Sequence, residues 1–143
     1  MAYVADTNVI FIVGEYWHSL ASDFRCGWCP VSRLDELYRQ YHRSLGDKRD
    51  ALRGAWDALC DEDAGTAQAE DFHQQLHRLA GSAGTYGYPE IARQALALEQ
   101  GWTAWLRQSA HQRAPAYQVC AGQAAGMVKL LATMQAEIEG GPD

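Results

Sequence analysis

The segment with the clearest chemical content is Leu76-His77-Arg78-Leu79-Ala80-Gly81-Ser82-Ala83-Gly84-Thr85-Tyr86-Gly87, a histidine followed by residues with almost no side chain. Imidazole, with an ordinary pKa of about 6.5, is mostly neutral yet nucleophilic near neutral pH. Small residues beside it let another protein's surface come close. Apolar residues around it recur at Phe72, Leu76, Leu79, Ala83 and Tyr86, spaced four, three, four and three, which defines the buried stripe of a helix. His77 is one residue out of that stripe and falls with His73, Gln74, Ala80, Gly81 and Gly84 on or beside the opposite face. Glycine within a helix costs about 1 kcal/mol relative to alanine, so its presence needs a reason. For Gly81 the reason is access to His77, and for both Gly81 and Gly84 the plainer alternative is close packing of two helices. Ser82 can bond back to the carbonyl of Arg78 without any chemical role.

The elements that carry this face are four helices. Leu34, Tyr38, Tyr41, Leu45, Leu52, Trp56 and Leu59 keep one helical phase through Gly46-Asp47, which predicts a single helix bent at most at Gly46, with Pro30 ahead of it and Ser32 and Asp35 as a capping pair. Thr66 caps the helix bearing His77. Pro89 opens a third, with the stripe Ile91, Ala95, Leu98, Trp102 and Trp105. Pro115 opens a fourth, with Cys120, Ala124, Met127, Leu131, Met134 and Ile138, and Gly140-Gly141 ends it. Short connections permit only antiparallel neighbours, so the expected fold is all-α, an antiparallel up-down four-helix bundle over residues 32–143. Residues 1–31 form an N-terminal extension in which Ile10, Val13, Trp17, Leu20 and Phe24 fit an accessory helix better than an unpaired strand.

Composition narrows the partners. The chain has 143 residues, 48% of them hydrophobic, enough for one domain with an ordinary core. A formal net charge of −6 disfavours nucleic acid and anionic membranes as partners. Seven of the twelve basic residues, Arg25, Arg33, Arg39, Arg43, Lys48, Arg49 and Arg53, lie between 25 and 53, as the solvated face of a helix or as a docking patch for an acidic protein. The run Val9 to Val13 is far shorter than the roughly 20 residues of a membrane span, and no signal peptide is visible. Four cysteines without an export signal indicate reduced thiols and a cytoplasmic setting.

The histidine segment resembles the signature of histidine-containing phosphotransfer domains, roughly H-x-L-K-G-S-[AS]-x-x-x-G, and departs from it only at the lysine, which is Ala80. That resemblance implies a carrier whose histidine accepts a phosphoryl group from a receiver-domain aspartate and passes it to another receiver. His77 is then the phospho-acceptor through Nε2. Its Nδ1–H is held by an acceptor on the following helix, for which alignment through Gly87, Leu98 and Glu99 points to Glu99, with Gln74 one turn earlier as the alternative. Arg78 stands in for the missing lysine as the phosphate's charge partner, and His73, Ala80, Gly81 and Gly84 form the docking rim. The chain itself binds no cofactor, and Mg²⁺ comes from the receiver. The partners implied are response-regulator receiver domains and a hybrid sensor histidine kinase. A regulatory module that docks a receiver without taking its phosphoryl group is the alternative function.

Other chemistry is less well supported by the residues. Cys26-Gly27-Trp28-Cys29 is a C-x-x-C without the α/β context of a thioredoxin-like site, and a zinc site using Cys26, Cys29, His18 and His42 lacks a second close ligand pair. His73 and His77 have zinc-binding spacing but no intervening Glu or third ligand. Cys60 and Cys120 read as core thiols, and Trp56, Trp102 and Trp105 as core aromatics. No Gly-rich phosphate loop or kinase nucleotide motif is present, so autophosphorylation from ATP is not expected.

Overall fold

The computed structural model describes residues 30–141 and contains four helices: α1 Pro30–Leu59, α2 Thr66–Thr85, α3 Pro89–Arg107 and α4 Ala116–Gly140. The accessory helix expected in residues 1–31, with Cys26 and Cys29, lies outside the described residues. The chain divides into two compact units, residues 1–38 and 39–143, and the packing below is that of the second.

Helix α1 runs unbroken through Gly46, as its phase requires, but begins at Pro30, so Ser32 sits inside the first turn rather than capping it. Its stripe is buried only from Tyr41 onward, through Leu45, Leu52 and Leu59, while Leu34 and Tyr38 are exposed. The start of α2 is closed by Gln68, whose Oε1 accepts the Gly65 N–H at 2.9 Å, and the cap is therefore one residue before Thr66.

Contacts between helices fix the topology. Along α2 and α3, Phe72 meets Trp102 edge to face at 6.1 Å, His77 meets Glu99, and Gly84 passes Ala92, so the two run in opposite senses. Tyr41 stacks on Tyr86 at 4.3 Å while Trp56 meets Phe72, which sets α1 antiparallel to α2. Leu98 packs over Gly126 and the Leu98 carbonyl lies near the Gln123 amide, and Arg49 on α1 bonds Gln135 on α4. The result is an up-down-up-down bundle around Leu45, Leu52, Phe72, Leu76, Ile91, Trp102, Met127, Leu130 and Met134, all essentially fully buried.

Two sequence expectations are corrected here. In α4 the fully buried leucine is Leu130, while Leu131 is half-buried against the core and Ala124 is exposed; adjacent leucines leave the phase ambiguous in the sequence. Cys60 is exposed because it follows the last residue of α1, whereas Cys120 is buried and its thiol is pushed up to about 12 by burial and the neighbouring Cys60 thiol.

The turn from α2 to α3 has Gly87 at φ +89°, with the Gly87 N–H to the Gly84 carbonyl at 3.5 Å and the Tyr88 N–H to the Ala83 carbonyl at 2.8 Å. This is the Schellman arrangement, in which glycine takes the left-handed position. Tyr88 then places its hydroxyl 2.7 Å from Nδ1 of the buried His42, tying the turn to α1. Replacing Gly87 by alanine forces a Cβ into the left-handed region, and we expect a loss of about 1–2 kcal/mol of folding stability, read from urea denaturation of both proteins.

Candidate functional site

Helix α2 buries Ala69, Phe72, Leu76, Leu79 and Ala83, and this burial turns the next residue, His77, outward. Its side chain is 72% exposed, yet Nδ1 lies 2.7 Å from Glu99 Oε1, whose side chain is only 12% exposed. A carboxylate can only accept, so Nδ1 carries the hydrogen, and in the neutral ring the lone pair is then on Nε2. Nε2 has no hydrogen-bond partner among the described residues. In its neutral form the imidazole is therefore held in one tautomer, with Nε2 toward solvent.

Glu99 owes its place to α3. It sits one position past Leu98 in the buried stripe, at the edge where α3 faces α2, so its short approach to His77 depends on the register of the two helices. One turn further on, Thr103 donates its hydroxyl hydrogen to the Glu99 carbonyl at 3.0 Å and meets His73 Nε2 at 2.8 Å. His73 is accordingly half-buried against α3 rather than standing on an exposed rim. Its ring lies nearly parallel to that of His77, with centroids 6.5 Å apart. Gln74 is exposed and makes no side-chain hydrogen bond among the described residues, so the partner of His77 Nδ1 is Glu99.

His77 stands between two unlike depressions. One is polar and acidic, lined by Glu70, Asp71, His73 and Glu99; the other is a mainly apolar groove of Ala80, Gly81, Gly84, Pro89, Ala92 and Leu96, with Arg93 and Glu99 also in its lining. A Cβ added at Gly81 would meet nothing within 4 Å, so this glycine packs no helix and leaves bare surface one turn from His77. Gly84, by contrast, has the Ala92 methyl at ordinary contact distance from where its Cβ would be, at 3.7 Å. Arg78 points to a third side, the cleft between α1 and α2 shared with Lys48 and Asp71, and its guanidinium has no ionic or hydrogen-bond partner among the described residues. Ser82 bonds back to the Arg78 carbonyl at 2.8 Å and its hydroxyl is met by the Tyr41 hydroxyl at 2.7 Å, a structural role.

The contributions of Pro89, Ala92, Leu96 and Thr103 were not legible in the sequence, because each depends on which turn of α3 lies beside which turn of α2. The i, i+4 pairing of Glu99 with Thr103 was visible but could not be distinguished from ordinary helix surface. Among the described residues, no three histidine, cysteine or acidic side chains group as a metal site, and no helix is long and apolar enough to cross a membrane.

This geometry defines a helical-bundle module presenting one oriented histidine. The family model described as Hpt domain matches residues 36–139, and the chain belongs to that family, whose members carry out phosphotransfer in phosphorelays and interact with receiver domains. Searches of curated proteins and of solved structures find no match.

At the rim of the groove, Glu90 is bonded by Arg93 and by the Gln94 amide at 2.8 Å, and these donors hold its carboxyl down at about 2 against an ordinary 4.5. A carboxyl lowered on folding contributes stability that is present above its unfolded value and lost as pH falls through about 2. An NMR titration should find the Glu90 midpoint well below those of ordinary exposed carboxylates, and Arg93→Ala should return it most of the way.

Proposed function

We propose that this Hpt domain is a phosphorelay carrier in which His77 Nε2 accepts a phosphoryl group from a receiver-domain aspartate and returns it to another receiver. The observation that carries the reading is an imidazole 72% exposed at the same time as its Nδ1 is held at 2.7 Å by a nearly buried carboxylate. In the forward step the Nε2 lone pair forms the N–P bond as the acyl phosphate's P–O bond breaks, and that electron pair leaves on the receiver's carboxylate. Nδ1 keeps its hydrogen, so the ring becomes cationic, and Glu99 Oε1 lies where that charge appears. Return of the group to a second receiver reverses each change, restoring the neutral ring.

Phosphoryl transfer has a loose transition state, so positioning and charge neutralisation do most of the catalytic work. The receiver supplies the Mg²⁺ and the lysine for that purpose. On the carrier side the family's lysine is Ala80, and Arg78, without a partner of its own, is the nearest cation in the sequence. The apolar groove of Ala80, Gly81, Gly84 and Leu96, with Leu96 46% exposed, is the surface against which the receiver docks. Donor receivers include free response regulators and the receiver segment of a hybrid sensor histidine kinase, and the exchange belongs in the cytoplasm.

The second reading, docking without transfer, draws on Ala80: loss of the lysine removes charge but not the groove. Incubation with a phosphorylated receiver separates the two. Label should pass to the wild-type chain and be absent from His77→Gln; a receiver that binds while no label moves would favour the docking module. Gly81→Ala offers a further check, because nothing stands within 4 Å of the added methyl. The variant should be more stable by about 1 kcal/mol in thermal unfolding, yet slower in transfer, since the methyl occupies the receiver's approach.

A further inference from the structure

The His73–Thr103 contact has no part in the transfer step as described, yet its geometry couples it to His77. Thr103 has one hydroxyl hydrogen, and it goes to the Glu99 carbonyl at 3.0 Å. The 2.8 Å approach of His73 Nε2 is then a bond in which the His73 N–H donates to Thr103 Oγ1. The same nitrogen lies 3.8 Å from Glu99 Oε1, the oxygen that holds His77 Nδ1 at 2.7 Å. Two ring N–H groups, one turn apart on α2, thus converge on a single turn of α3. The side chains around His73 are Glu70, Asp71 and His77 on its own helix and Glu99 and Thr103 on α3.

We propose that His73 is a positioning residue for His77: by anchoring Thr103 it fixes the turn of α3 that offers Glu99 to the His77 Nδ1 hydrogen, and so keeps Nε2 in its nucleophilic form. The physical reason is leverage. Glu99 reaches His77 from the exposed edge of α3, so a small local roll of that turn about the core contact of Phe72 with Trp102 would lengthen the bond. A rung between side chains immediately beside the Glu99–His77 rung resists that motion where it matters, on the exposed side of the helix pair.

The inference rests on His77 being the acceptor, but its primary readout does not. The ¹⁵N chemical shifts of the His77 ring, measured at about pH 8.5 where imidazoles are neutral, report which nitrogen carries the hydrogen. Wild type should show one dominant tautomer with the hydrogen on Nδ1. His73→Ala should shift the tautomer ratio by about fivefold, the worth of one neutral hydrogen bond, and slow label uptake from a phosphorylated receiver by a similar factor. His73→Gln, whose terminal amide can donate to Thr103 from nearly the same position, should restore both. Thr103→Val should match His73→Ala, and the double variant should be no worse than either alone. Unchanged His77 shifts in His73→Ala would overturn the proposal, as would a His73→Gln variant as impaired as the alanine or effects of the two single variants that simply add. If the wild-type chain takes no label, the acceptor reading fails while the ring shifts still decide the role of His73.

Discussion

The bond from His77 Nδ1 to Glu99 Oε1 is the interaction on which the rest of the site depends. In the neutral ring it settles which nitrogen carries the hydrogen, and in the proposed transfer it places a carboxylate where positive charge would develop as Nε2 takes up the phosphoryl group. The bond joins residues on two helices, so its length is a property of the packing of α2 on α3. That packing is set at three points: the edge-to-face contact of Phe72 with Trp102, the close pass of Gly84 and Ala92, and the left-handed Gly87 that turns the chain between them. An exposed imidazole by itself would exchange freely between tautomers. Held from below by a nearly buried acid, it keeps one reactive form while remaining in water.

A second constraint concerns what is left off the surface. Helix stability favours alanine over glycine, yet Gly81 occupies an open position where a methyl group would touch nothing. The fold gains no packing from this glycine. What it leaves is bare surface between His77 and the groove that Ala80, Gly84 and Leu96 continue. The departure at Ala80 fits the same geometry: it extends the flat apolar area while removing a cation, leaving Arg78 on another side of the helix and Arg93 fastened to Glu90.

The elements that could be read from the sequence are those in which one helix decides its own outcome. The stripe Phe72, Leu76, Leu79 and Ala83 fixes which face of α2 is buried and therefore turns His77 outward, whatever the helix packs against. Pro89 and Pro115 mark helix starts within a residue for the same local reason. The pattern alone did not rank depth within a face: Leu130 is fully buried while Leu131 is half-buried against the core, and Leu34 and Tyr38, in phase with the buried Tyr41 and Leu45, are exposed.

The sequence by itself determined four amphipathic helices, their order, the outward histidine and the bare surface around it, because these follow from periodicity and side-chain size along a single helix. Only the tertiary structure decided that Glu99 rather than Gln74 meets His77, that Gly81 is open while Gly84 faces Ala92, and that His73 is bound to Thr103. Each of these is a distance between helices, fixed by the rotation and slide of α3 along α2. Shifting α3 by one turn, about 5.4 Å, would keep every stripe buried and bring different side chains together, so the one-dimensional pattern carries no record of the choice.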